Sequence, residues 1–164
     1  IDNTNQINTK DNEGTAIMDR KGKTLYFTRC PSMPKQNLGC EIWMADKNGE
    51  EWENVREINL EAALNAQISK SKDSTFSKSS EISIGHPCLT ADGQMLIFAS
   101  NMPGGMGGKD LWYITYDKKA KGWDSLKSSL RNAAENLFLR NVFGVMKANT
   151  PLGRSSFNDA SKNT

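Results

Sequence analysis

The sequence has no apolar run near the ~20 residues that a membrane-spanning helix needs, so a direct membrane span is not expected. Its opening, Ile1-Asp2-Asn3-Thr4, has neither a charged n-region nor an apolar h-region, so no signal peptide is visible. The chain also starts without Met, and two readings stay open: a processed protein or a piece of a longer one. Charge of one sign is lacking. Lys plus Arg number 21 against 19 Asp plus Glu, with no basic stripe and no acidic block, which argues against a nucleic-acid partner. Histidine is nearly absent. The single His86 has no Gly-x-Ser-x-Gly to serve, so a serine–histidine triad lacks a recognisable nucleophile and no enzyme is expected. There is no Cys-x-x-Cys or Cys/His spacing for zinc and no Asp-x-Asp-x-Asp-Gly loop for calcium, so neither metal nor cofactor is expected.

Three cysteines are present. Cys30 and Cys40 flank a short loop holding two prolines. Two readings stand: a staple across the loop, which belongs to an oxidising compartment, or three small buried apolar side chains, Cys88 included. The hydrophobic fraction is a modest 37%, and Ser, Asn, Lys and Gly are plentiful. That balance suits short strands joined by polar turns better than a helical bundle.

An internal repeat organises the chain. Met18 to Arg29 reads MDRKGKTLYFTR, and Leu89 to Ser100 reads LTADGQMLIFAS. Gly22 aligns with Gly93, Leu25 with Leu96, and Phe27 with Phe98. Gly39-Cys-Glu-Ile-Trp43 then matches Gly108-Lys-Asp-Leu-Trp112, and each unit closes with a glycine and a second tryptophan, Trp52 or Trp123. Lys21-Gly22 and Asp92-Gly93 sit where a tight hairpin turn needs positive φ. Leu25 to Phe27 and Leu96 to Phe98 are apolar runs suited to strands covered on both faces. Ile42 to Ala45 and Leu111 to Ile114 are the next strands, with Trp52 and Trp123 on or opening an outer one. The reading is all-β, with blades of about four antiparallel strands each. The first unit spans 5–60, an insertion 61–80, the second unit 81–126, and an atypical tail 127–164.

His86-Pro87 followed by Leu89-Thr-Ala-Asp-Gly-Gln-Met-Leu-Ile-Phe-Ala-Ser-Asn101 resembles the TolB-like, WD-type β-propeller repeat of bacterial envelope proteins. Pro103-Gly-Gly-Met-Gly-Gly-Lys-Asp-Leu-Trp112 and Gly122-Trp123 extend the resemblance, and Ile7 to Glu13 resembles the start of such a blade. It covers about residues 5–125 and is nearest to propeller segments of outer-membrane lipoproteins that carry an OmpA-like peptidoglycan-binding domain. Some of these serve type IX secretion and gliding. The first unit departs from the pattern, with Arg20-Lys21-Gly22 for Ala-Asp-Gly and a cysteine loop for the glycine loop. The resemblance implies an exported, periplasmic or outer-membrane-associated scaffold. Its partners would be envelope proteins, and peptidoglycan only through a domain that this chain does not contain. A propeller portion of a hydrolase and a glycan-binding domain using tryptophans are the alternatives.

Two blades cannot close a ring, since propellers use four or more. A fragment of a longer propeller is the favoured expectation, ahead of several copies completing one ring or an open two-sheet fold. Structural repeat positions are Gly22, Trp43, Trp52, His86, Asp92, Gly93, Asp110, Trp112 and Trp123. Glu41 and Asp110 are read as acids that satisfy loop N–H groups. Met102, Gly104, Gly105, Met106 and Lys109 form a compact glycine turn and the candidate partner loop. Between the units, Glu61 to Gln67 suggests a short helix and Lys70 to Ser80 a loop. Beyond Trp123 the pattern fails. Asn132 to Phe143 reads as helical or irregular, and Pro151 to Thr164 as disordered.

Overall fold

The computed structural model describes residues 5–32, 38–71, 81–123 and 131–132. They form two antiparallel sheets with one helix between them in sequence. In the first sheet, β1 (Asn12–Met18), β2 (Thr24–Cys30), β3 (Glu41–Asn48) and β4 (Glu51–Glu57) lie in chain order. Helix α1 (Glu61–Lys70) follows. The second sheet contains β5 (Ile84–Leu89), β6 (Met95–Ser100) and β7 (Asp110–Thr115), with the two-residue β8 (Arg131–Asn132) at its edge. The second unit is therefore three full strands and a short fourth. No helix among the described residues is long and apolar enough to cross a membrane. The readings for 72–80 and 133–164 lie outside the described residues, and Asn132 is in β8.

The repeat written in the sequence is repeated in backbone detail. Gly22 and Gly93 both adopt φ +67°, and each donates its N–H to the carbonyl three residues back, Asp19 or Thr90. Glycine, which has no Cβ, takes that conformation without the steric cost that other residues meet. The turns are capped by different side chains. Asp19 accepts the N–H groups of Lys23 and Thr24, whereas Thr90 accepts that of Met95 and Asp92 that of Gln94. The Thr90 hydroxyl and then the Gln94 N–H hold the Asp92 carboxyl below its usual pKa.

A bulge that the sequence reading missed also recurs. Register breaks between Gly14 and Ile17 in β1, and between Gly85 and Cys88 in β5. Thr15 (φ +43°) and His86 (φ +59°) occupy the same left-handed place in each. His86-Pro87 is thus a strand bulge, where a missing N–H is tolerated.

Pairing fixes which faces meet. Phe27 lies opposite Trp43 and Phe98 opposite Trp112, so the repeat positions occupy the same register in both sheets. Alternation then puts Leu96, Phe98, Trp112 and Ile114 on one face of the second sheet and Ile97 and Tyr113 on the other. In the first sheet, Tyr26, Ile42 and Met44 share one face while Phe27, Trp43 and Ala45 share the opposite one. The main core joins Tyr26 and Ile42 to Leu96, Phe98, Trp112 and Ile114. The Phe/Trp face of the second unit therefore packs on the Tyr/Ile face of the first. Two sheets related by a two-fold axis would instead present like faces to each other. These units stack in one direction, as repeats do.

Helix α1 closes the side of this core. Leu60 and Leu64 bury with Ile58, and Gln67 donates from Nε2 to the Pro103 carbonyl at 3.0 Å.

Candidate functional site

The loops that follow the inner strands are the first place where the two units differ. In the first unit Cys30 ends β2 and Cys40 stands just before β3. Their Cα atoms are 4.1 Å apart and the pair is a disulfide. The staple reading is therefore the correct one, and Cys88 is an exposed free thiol, not a buried apolar side chain. In the second unit, an Asp110 carboxylate oxygen accepts the N–H groups of Met106 at 2.8 Å and Gly107 at 3.0 Å. Glu41, in the matching place, accepts the indole N–H of Trp43 instead.

The glycine loop divides. Gly104, Gly105 and Lys109 are exposed, and Met106 is 83% exposed. Met102 corrects the sequence reading. It is 3% exposed and belongs to the main core, with its N–H held by the Ser100 hydroxyl. Apolar Met102 and Pro103 turn inward under the end of α1, which leaves Met106 as the loop's large outward side chain.

The four tryptophans occupy two environments. Trp112 is buried between the sheets, and its indole N–H finds no hydrogen-bond partner among the described residues. Trp123, expected on or opening an outer strand, lies just after the Asp117–Gly122 bridge and is 3% exposed, with its ring in the seam. There it meets Tyr116 and Tyr26 edge-on, with ring centroids at 5.2 and 6.2 Å, and donates Nε1–H to the Tyr26 hydroxyl at 3.3 Å. Burial raises the pKa of that hydroxyl, while the bond from Trp123 opposes the shift. Neither ring offers a free face to a sugar. Trp43 and Trp52 are half-buried on the outer face of the first sheet, with Phe27, Ala45 and Ile7.

At the opposite end of the seam β5 crosses close to the first sheet. Ile84 donates to the Cys40 carbonyl at 2.7 Å, and His86 donates its backbone N–H to Thr28 Oγ1 at 3.0 Å. Thr15 Oγ1 lies 2.8 Å from the same Thr28 oxygen. A Cβ on Gly39 would strike the Ile82 backbone carbonyl, so this approach requires glycine. His86 acts here through its backbone, and its side chain is exposed. At the Trp123 end a cleft of about 450 Å³ opens, lined by Tyr26, Tyr116 and Trp123 and rimmed by Asp46, Arg56 and Lys121. Arg56 and Asp46 are paired at 2.8 Å. Among the described residues no group of three His, Cys, Asp or Glu side chains is placed to hold a metal ion.

The sequence reading did not single out Arg29 and Glu13, which the structure brings together. Arg29 is 8% exposed, and its Nε lies 3.1 Å from Glu13 Oε1. Its Nη2 donates to the carbonyls of Gln6 and Ile7 at 2.7 and 3.0 Å. The guanidinium stands 4.3 Å from the Trp43 ring centroid and 5.3 Å from that of Phe27. The repeat alignment held the signal: Arg29 stands two residues after Phe27, where the second unit has Ser100 after Phe98. Comparison of the chain with protein-family models, curated proteins and solved structures finds no match.

Proposed function

We propose that the chain is a non-catalytic interaction and scaffold module of a bacterial cell envelope, composed of two TolB-like propeller blades of a longer protein. The observation that carries this reading is the recurrence of turn, bulge, strand pairing and closing tryptophan in two units stacked in one direction. Such stacking is open-ended, and each added unit covers the face the previous one leaves. The disulfide between Cys30 and Cys40 supports an exported location, because such bonds persist in oxidising compartments. In this reading the partners are envelope proteins, met on loop surfaces such as Met106 and Lys109, and peptidoglycan is held by another domain.

Thiol trapping in the producing cell tests the compartment. Cells are quenched in acid, and the denatured protein is alkylated without reduction. Labelling of one cysteine of the three, Cys88, is expected. Labelling of all three places the protein in a reducing compartment and defeats the reading. Titration with peptidoglycan fragments separates scaffold from glycan binder. Unchanged tryptophan fluorescence is expected, and saturable quenching would favour glycan binding.

A further inference from the structure

We infer that the cleft at the Trp123 end of the seam binds a small organic monocarboxylate, its carboxylate held by the Tyr26 hydroxyl and the Lys121 ammonium and its apolar body laid against Met44 and Tyr116. The inference goes beyond the scaffold reading and does not depend on it.

The cleft opens where the two units part. Cross-strand pairing sets Tyr26, Met44 and Arg56 in one row across β2, β3 and β4, with Thr24 and Asp46 in the next row of the same face. The second unit covers this face closely at Ile42, which is 2% exposed. Met44 and Asp46 lie further along β3, are half-buried, and line the cleft. What faces them from the second unit is Tyr116 and the stretch from Ala120 to Trp123. The volume of about 450 Å³ falls within the range of small-molecule sites, about 300–1,000 Å³.

Two groups in this cleft have donors without acceptors. Tyr26 is 6% exposed. Its hydroxyl accepts the Trp123 N–H at 3.3 Å, but its own proton has no acceptor among the described residues. Burial raises its pKa, so the phenol remains a donor at neutral pH. A donor taken out of water without a partner is costly, and here it stands beside open space that an acceptor can enter. Lys121 forms no ion pair among the described residues and can only donate. Both groups therefore favour an oxygen anion. Charge limits which anion fits. Arg56 is already paired with Asp46 at 2.8 Å, and Asp46 and Glu57 line the same cleft, where they repel a second negative charge. A singly charged carboxylate matches one unpaired lysine, and a phosphate dianion does not. The half-buried Met44 and Tyr116 side chains leave apolar surface for the rest of the molecule.

The test titrates the chain with phenylpropionate, indolylacetate and hexanoate by isothermal calorimetry, with phenylpropylamine and phenyl phosphate as comparators. Saturable binding of at least one acid is expected, and weaker binding of both comparators. Lys121 stands at φ +53°, where glycine is free of strain, so Lys121→Gly removes the ammonium and keeps the turn. It should weaken the acid about tenfold, the worth of one charge-assisted hydrogen bond, and Tyr26→Phe should do the same. Should Tyr26→Phe not fold, Lys121→Gly decides. Failure of all three acids to bind overturns the inference, as does an amine or phosphate that binds as tightly as its acid. Unaltered affinity in either folded variant overturns it too, because the acid then sits elsewhere.

Discussion

The two units close one and the same loop by different chemistry. Between β2 and β3 a covalent bond joins Cys30 to Cys40, and between β6 and β7 the Asp110 carboxylate gathers two backbone N–H groups. Their Phe/Trp faces differ as well. In the second unit that face is covered by a neighbouring sheet, in the first by Ile7 and an arginine. The strand frame is common to both, and the variation sits where the chain leaves it or where a unit lacks a neighbour. A repeat fold keeps what each sheet needs to form and varies what its position in the stack demands.

The largest effects should come from the shared frame. Phe98→Ala should cost about 3–5 kcal/mol in urea denaturation, the range for an aromatic removed from a well-packed core. Phe27→Ala should cost less, because the cap over it is one segment and one arginine, which relax more readily than a sheet. Equal losses would remove the distinction between a stacked face and a capped one. Next is the loop pair. Replacing Cys30 and Cys40 with serine should cost about 2–3 kcal/mol by loop-closure entropy. Asp110→Asn should cost about 1 kcal/mol through weakened hydrogen bonds. A reducing agent should lower the melting temperature of the unaltered chain and leave the double serine variant unchanged.

The paired turns sharpen the likeness. Gly22→Ala and Gly93→Ala should each cost about 1–2 kcal/mol, since both glycines sit at φ +67°. A loss at one glycine only would mean that the two hairpins are not the same device. The smallest effect concerns Glu57, whose pKa is raised by desolvation, then by Glu41 and Glu61. An acid with a raised pKa in the fold costs nothing while protonated. The penalty enters as pH rises through the unfolded-state value of about 4.3 and is complete above the folded one. Glu57→Gln should therefore raise the melting temperature slightly at pH 7 and leave it unchanged at pH 3.

Much of the frame is legible in the sequence because its determinants are local. A turn needing positive φ demands glycine, so Gly22 and Gly93 reveal the hairpins, and short apolar runs reveal the strands beside them. A short helix over 61–67 was readable for the same reason and extends in the structure to Lys70, whereas the Cys30–Cys40 staple was one of two readings that the sequence left open. Met102 was misplaced because a glycine-rich stretch reads as one loop, while burial is decided by the distant Gln67 and the end of α1. The paired bulges at Thr15 and His86 escaped notice because threonine disfavours positive φ and histidine, although more tolerant of it, adopts it in a small minority of cases. Arg29 escaped because a charged residue in a strand reads as solvent-facing until the partner face is known.

The central claim is that the units bury each other through unlike faces, and a double-mutant cycle between Tyr26 and Trp123 tests it most directly. These residues belong to different units and touch only if the second unit folds onto the Tyr/Ile face of the first. Tyr26→Leu, Trp123→Leu and the double variant are compared by equilibrium denaturation. The account predicts a coupling of about 0.5–1.5 kcal/mol, the range for an aromatic pair. Losses that add to within about 0.3 kcal/mol would mean that the two side chains are independent and would contradict the stacked arrangement.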